Sequence, residues 1–258
     1  MFVCSKWKLA GGAAMCAALL IGSAPVSAAE ITMISAMALH ATYTELAQQY
    51  EKMSGDKVTI IWSPGLEVTK HVQSGEKADF AVLGADGVDD LIQKGFLAPG
   101  SRVPLARSLI GIAIRPGSPR PDLSSGNTLK ASLLASRKIA LSNGTSSLYL
   151  KKMFQKMGIG DQMEAKIYRS PNGRGENVSN VLRRGDADLG FQQVSELIDE
   201  PGIELIGPIS SDVQDVTVWS AGMYRDAPHP DAAKAFIRFL TSAQAAAVLK
   251  KHGLDPGA

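Results

Sequence analysis

Between Ile31 and Gly84 the chain alternates short apolar runs with an amphipathic stretch, and this order limits the folds open to it. Ile31-Thr32-Met33-Ile34 is apolar, and Ser35-Ala36-Met37-Ala38 is a small-residue bridge. Leu39, Tyr43, Leu46, Tyr50 and Met53 then recur at spacings of four, three, four and three. That spacing predicts one face of a helix, and Gly55 stands where its C-cap belongs. Val58 to Trp62 and Asp79 to Leu83 read as the next two strands. Two loops thus leave strand ends and feed helix N-termini on one side of a sheet. Backbone N–H groups there suit an anion, and open α/β sheets bind ligands beyond such strand ends.

The alternation continues. Val88 to Lys94 reads as a short helix, Ser108 to Ile114 as a strand, and Pro116 to Pro121 as a loop. Lys138 to Leu141 is a strand, Asn143 to Ser147 a polar loop, and Leu148 to Met157 a helix. Ala165 to Tyr168 reads as a strand, and the loop Pro171-Asn172-Gly173-Arg174-Gly175 opens a helix through Leu182. Ala187 to Phe191 is a strand, followed by a short helix from Val194 to Ile198. Ile203 to Ile206 and Val216 to Met223 are strands, and Pro230 to Leu240 and Ala243 to Lys251 are helices. Strands separated by helices argue for an α/β fold with parallel sheets. The strands at 108–114 and 216–223 bracket the second set of units, which makes them the candidate hinge strands.

The first 28 residues read as a leader. Lys6 and Lys8 form a basic start, Leu9 to Ile21 is apolar and small, and Val26-Ser27-Ala28 offers a cleavage site after Ala28. The apolar run is too short to span a bilayer, so a signal peptide and a periplasmic destination are expected. Removing 28 of the 258 residues leaves 230. Both cysteines, Cys4 and Cys16, go with the leader, so no disulfide or cysteine-bound metal is expected. Two of the 27 basic residues are Lys6 and Lys8, which leaves 25 against 25 acidic ones. A balanced charge gives no reason to expect nucleic acid or an anionic membrane as partner.

Several segments carry a resemblance across nearly all of the mature chain. They are Ser35-Ala36-Met37-Ala38-Leu39; Gln73 to Asp79; Tyr149 to Gly158; Ala187-Asp188-Leu189-Gly190-Phe191; and the ending Ala245 to Gly253. In these the chain resembles the molybdate-binding type of periplasmic solute-binding protein, the receptor component of an ABC importer. The resemblance implies two lobes, each a mainly parallel sheet flanked by helices, joined by two hinge strands and closing on one ligand. The lobes would be 29–107 with 225–258, and 108–224. It further implies a small anionic ligand, a membrane permease as partner, a monomer, and no cofactor or metal.

That family holds its oxyanion with two serine hydroxyls, backbone amides and a tyrosine. The matching positions here are Ala38, Gly65 with Ser63 two residues away, and Gln193, while the second lobe keeps Ser146 and Ser147 and carries Arg174 beside Gly175. Two lost hydroxyls remove about 3–6 kcal/mol from oxyanion binding unless replaced. Arginine matches a carboxylate in bidentate fashion, and alanine and glycine leave room, so a small organic acid suits these positions at least as well. Each residue also has a plain structural reading. Arg174 is then a solvated loop charge, Ser146 and Ser147 are helix caps, and Gln193 closes a strand. Met37 and Trp62 are candidates for the cleft wall, with lobe core as the plainer reading of each.

No catalytic constellation is evident. His40, His71, His229 and His252 form no metal-binding pair, and there is no nucleophile elbow or phosphate loop. His229 and His252 read as surface residues. Asp89 with Asp90, and Glu196 with Asp199, read as exposed helix charges. The expectation is a binding protein rather than an enzyme, feeding either a permease or a periplasmic sensor.

Overall fold

The computed structural model describes Met1 and residues 28–142, 144–171 and 176–257. The leader proposed from the sequence therefore lies almost wholly outside the described residues. β1 (Glu30–Ala36) passes through a 3-10 turn (Met37–Leu39) into α1 (His40–Ser54), then β2 (Lys57–Ser63), α2 (Gly65–Gln73), β3 (Phe80–Gly84) and α3 (Ala85–Gln93). β4 (Val103–Ile114), α4 (Gly126–Ala135), β5 (Ile139–Leu141), α5 (Thr145–Lys156), α6 (Gly160–Lys166) and α7 (Val178–Arg184) follow. β6 (Leu189–Gln193), α8 (Val194–Leu197), β7 (Glu204–Pro208), β8 (Val216–Met223), α9 (Pro230–Leu240), α10 (Ala243–Lys251) and β9 (Asp255–Pro256) complete the chain.

Local chemistry explains these elements. Leu39, Tyr43, Leu46 and Tyr50 are all buried on one face of the 3-10 turn and α1, as their spacing requires. Met53 departs from the pattern and is 62% exposed, because the last turn of α1 runs past the core. Gly55 ends α1 with φ of 81°, a conformation that costs glycine nothing. The Asp79 carboxylate, 1% exposed, accepts from the backbone N–H of Thr32 at 2.8 Å and of His229 at 2.6 Å. It thereby ties β1, β3 and the entry to α9 together.

The strands follow the order β2-β1-β3-β8-β4-β6-β5, with β7 and β9 also paired to β4. β2, β1 and β3 are mutually parallel, as are β5 and β6. The connecting strands enter antiparallel: β8 against β3 and β4, and β4 against β6 and β7. β4 starts at Val103, earlier than the sequence suggests, because its first part pairs with β8 and only Ile110 to Ile114 pair with β6. Several elements differ from the sequence reading, β9 among them. α4 was not anticipated, and the segment around Ala165 is the end of α6, with only a bridge from Ile167 to Ile139.

Two main apolar cores result. One gathers Ile31, Leu46, Phe80, Trp219 and Phe236 and spans residues 31–106 and 219–254. The other gathers Ile112, Leu129, Phe154 and Phe191 from residues 110–209, with a smaller cluster beneath α7. At Gly190 an added Cβ would lie 2.3 Å from Val178, so only glycine lets α7 sit directly on β6.

Candidate functional site

A cavity of about 360 Å³ lies where the two parts of the molecule meet. Its wall on the first part is Met37 and Ala38 from the turn after β1, Pro64 and Gly65 at the start of α2, and Trp219 of β8. The second part supplies Ser142, Gly144 and Ser146 around the start of α5, Glu176 and Asn177 before α7, and Gln192, Gln193 and Glu196 from β6 and α8. The N-terminal ends of α2 and α5 thus border one space from opposite parts. Both present partial positive charge and unsatisfied N–H groups to whatever enters.

The polar groups are held in place by a few bonds. Ser142 and Ser146 share a hydrogen bond of 3.0 Å between their hydroxyls, and Gly144 donates its N–H to Ser142 Oγ at 3.2 Å. Asn177 Oδ1 accepts from Ser179 N–H at 2.8 Å and so caps α7. Gln193 Nε2 donates to Thr217 Oγ1 at 3.0 Å, and Gln192 Nε2 donates to Glu196 Oε1 at 2.7 Å. Ser195 Oγ donates to the Ala38 carbonyl at 2.7 Å, joining α8 to the turn after β1 across the cleft. Gln192 Oε1, Gln193 Oε1 and Trp219 Nε1 are enclosed and have no partner among the described residues.

Two carboxyls border the cavity, in opposite electrostatic states. Glu176 is held below its ordinary value, first by the Arg184 guanidinium that donates to it, and Tyr168 also donates to it. Glu196 is pushed up to about 7, chiefly because burial penalises its charged form. Hydrogen bonds from the Gln192 side chain and the Gln193 backbone oppose that rise, and the charge of Glu200 adds to it. The Glu196 carboxyl thus holds its proton more tightly than an ordinary carboxyl does.

Of the residues named from sequence, Ala38, Gly65, Ser146 and Gln193 stand on this wall. Ser63 closes β2 and is buried, but it is not part of the wall. Ser147 turns its hydroxyl to the Gly144 carbonyl at 2.8 Å and is not part of it either. Arg174 and Gly175 lie outside the described residues. Met37, a candidate for the cleft wall, is 42% exposed and borders the cavity. Trp62 does pack against the first core, with the His40 ring 4.8 Å away.

Sequence reasoning missed Glu196, which is partly buried on the wall rather than an exposed helix charge. Its neighbour Asp199 is exposed, as read, and bonds His252. His252, read as a surface residue, is buried with its Nε2 2.9 Å from Glu45 Oε2 and its Nδ1 3.0 Å from Asp199 Oδ2. The signal that could have found Glu196 is its place four residues after Gln192, at a strand end in an α/β sheet.

Comparison with known proteins adds to this geometry. An aconitate isomerase from Pseudomonas sp is 34% identical over 93% of this chain and 94% of its own length. The expectation that the chain is not an enzyme therefore does not stand, because a relative this similar over its whole length is one. The molybdate-binding protein ModA of Rhodobacter capsulatus is 25% identical, with 92% of each chain covered. The periplasmic molybdate-binding protein of Azotobacter vinelandii has the same fold, with a TM-score of 0.70 at 21% identity over 87% of this chain and 98% of that one. Residues 31–255 match one family throughout, and the chain belongs to the bacterial extracellular solute-binding proteins.

Proposed function

We propose that this chain is a solute-binding-fold isomerase that acts on a small unsaturated polycarboxylate of the aconitate kind. The observation that carries the reading is a cleft bordered by two helix N-termini whose wall holds one carboxyl titrating near neutral pH. The helix ends favour an anion. The carboxyl is suited to moving a proton, since general acid–base catalysis works best with a pKa near the working pH. Aconitate is propene-1,2,3-tricarboxylate, and its methylene lies between a carboxylate and the double bond. Such a C–H is acid enough for a carboxylate base in a partly dry site. The 34% relative carries an isomerase name for this substrate, which supports the reading.

The test is direct. Mature protein, from which residues 1–28 are proposed to be removed, is incubated separately with cis- and trans-aconitate and followed by proton NMR. Interconversion from both sides to one ratio is the expected result. No interconversion by protein that melts cooperatively would overturn the reading. Arg174, two residues before Glu176 in sequence, is proposed as a cation for one carboxylate, and R174A is expected to weaken binding.

A second reading is favoured by the way both parts of the molecule contribute walls to the cavity. The chain would then be the periplasmic receptor of an ABC importer, with lobes 29–107 plus 225–258 and 108–224 closing on an oxyanion or organic acid as a monomer. Ligand contacting both lobes favours closure by its differential affinity. Thermal shifts with molybdate, tungstate, sulfate, phosphate and several carboxylates give the ligand class, and binding without interconversion of cis- and trans-aconitate favours the receptor. A ligand at about 100 times its Kd adds about 2.7 kcal/mol of stability.

A further inference from the structure

We infer that Glu196 is the group that takes up and returns the substrate proton, with Gln192 as the residue that positions it. The inference rests on the isomerase reading above.

Its basis is geometric. Glu196 borders the main cavity and also an adjoining one of about 190 Å³, and Met37 and Asn177 border both. Glu196 thus belongs to the lining that the two spaces share. Its helix begins directly at the end of β6 and is held to the first part of the molecule by the Ser195 hydroxyl. Gln192, the fourth residue of β6, fixes Glu196 Oε1 at 2.7 Å. The other carboxyl on the main wall, Glu176, is committed to Arg184 and Tyr168 and stays ionised, which makes it a weak base.

Among the described residues, the other charged groups named around Glu196 have partners of their own. Glu200 pairs with Arg183 at 3.2 Å, and Asp199 with His252. The His40 ring packs against Trp62 and borders only the smaller space. Burial holds Glu196 near neutrality, so both the base and the acid form are available in one turnover.

The step balances without a co-reactant. Ionised Glu196 removes one proton from the substrate methylene: a C–H bond breaks and an O–H bond forms. The electron pair spreads over the three-carbon unit and its carboxylates. Glu196 then returns the proton to either end of that unit, or to the same carbon after rotation, and the product has the substrate's composition.

The experiment uses full mature protein in D2O with cis-aconitate as probe. Proton NMR reads isomer interconversion and loss of carbon-bound hydrogen to deuterium, while calorimetry reads binding. E196Q is expected to lower both rates at least about 10²-fold and to bind aconitate within about tenfold of wild type. E196D keeps the carboxyl but retracts it, and is expected to lose rate while keeping a pH-dependent limb. Q192M removes a bond that favours the charged carboxylate, so its half-maximal rate is expected at a higher pH, with KM changed less than kcat.

A wild type that interconverts the isomers beside an equally active E196Q overturns this assignment alone. So does loss of exchange in E176Q with none in E196Q. A wild type with neither interconversion nor exchange overturns the isomerase reading and the assignment with it.

Discussion

Glu196 links the site to stability as well as to chemistry. Its carboxyl holds a proton more tightly in the folded chain, at about 7, than at the ordinary 4.5. The folded state therefore binds more protons between those values, and its stability falls as pH rises through that window. The contribution is complete below about pH 4.5, is lost above about pH 7, and is on the order of 3 kcal/mol. E196Q removes the titration. Urea unfolding is expected to show it more stable relative to wild type at pH 8 than at pH 5, and an unchanged difference would refute the burial account. Gly65 offers a second test at this scale. A Cβ there meets Trp219 at 3.6 Å, an ordinary contact, so a serine fits without displacing the wall. The double variant A38S/G65S places two hydroxyls at the positions that the sequence resemblance matches to the family's serines. It is expected to show a larger molybdate-induced rise in Tm than wild type.

Among the elements, those with a strong hydrophobic period were legible and those defined by tertiary contact were not. α1, α9 and α10 announce themselves through apolar spacing and their caps, and β8 by its mostly apolar run with β-branched and aromatic residues at its start. α4 escaped because its start is a Ser125–Thr128 capping box lacking the usual glutamate, and its sequence GNTLKASLLA has little amphipathic contrast. The stretch from Ala165 misled because a β-like composition ends α6 and forms one bridge instead of a strand. Glu196 escaped for a different reason. Spacing shows that it sits on a short helix, but only the docking of α8 against the turn after β1 decides that it is partly buried. Two further predictions belong here. D79A leaves the Thr32 and His229 N–H groups without their charged acceptor and is expected to cost about 2–4 kcal/mol in urea unfolding. G190A drives a methyl into Val178 and Leu182 and is expected to cost about 1–3 kcal/mol, with the start of α7 displaced from the cavity.

At the scale of the molecule, α8 and the residues after it are the contact through which one part grips the other. Ser195 bonds the Ala38 carbonyl, and Asp199 reaches His252 at the end of α10, itself bonded to Glu45. S195A removes one neutral hydrogen bond of about 1 kcal/mol. If the two parts open and close about β4 and β8, that is about a fivefold shift toward the open form, readable in small-angle scattering as a larger radius of gyration without ligand. The same variant is expected to release bound aconitate faster. An unchanged radius and release rate would mean that this contact does not govern opening. Resemblance in sequence pointed correctly to the architecture and to the loops that meet. It did not separate a receptor from an enzyme, since a solute-binding fold is shared by relatives that carry both names.

Trp219 has one more consequence. Of the two tryptophans among the described residues, Trp62 packs on the first core. Trp219 alone among them borders the cavity, on a strand that pairs with both β3 and β4, with its indole N–H lacking a partner among the described residues. A solute that enters the cavity changes the polarity around that ring and can accept its N–H. The protein thus carries an intrinsic optical gauge of occupancy. Its emission is expected to shift on titration with a true ligand and to stay still with a solute that never enters, giving unlabelled protein a fluorescence readout of arrival and departure.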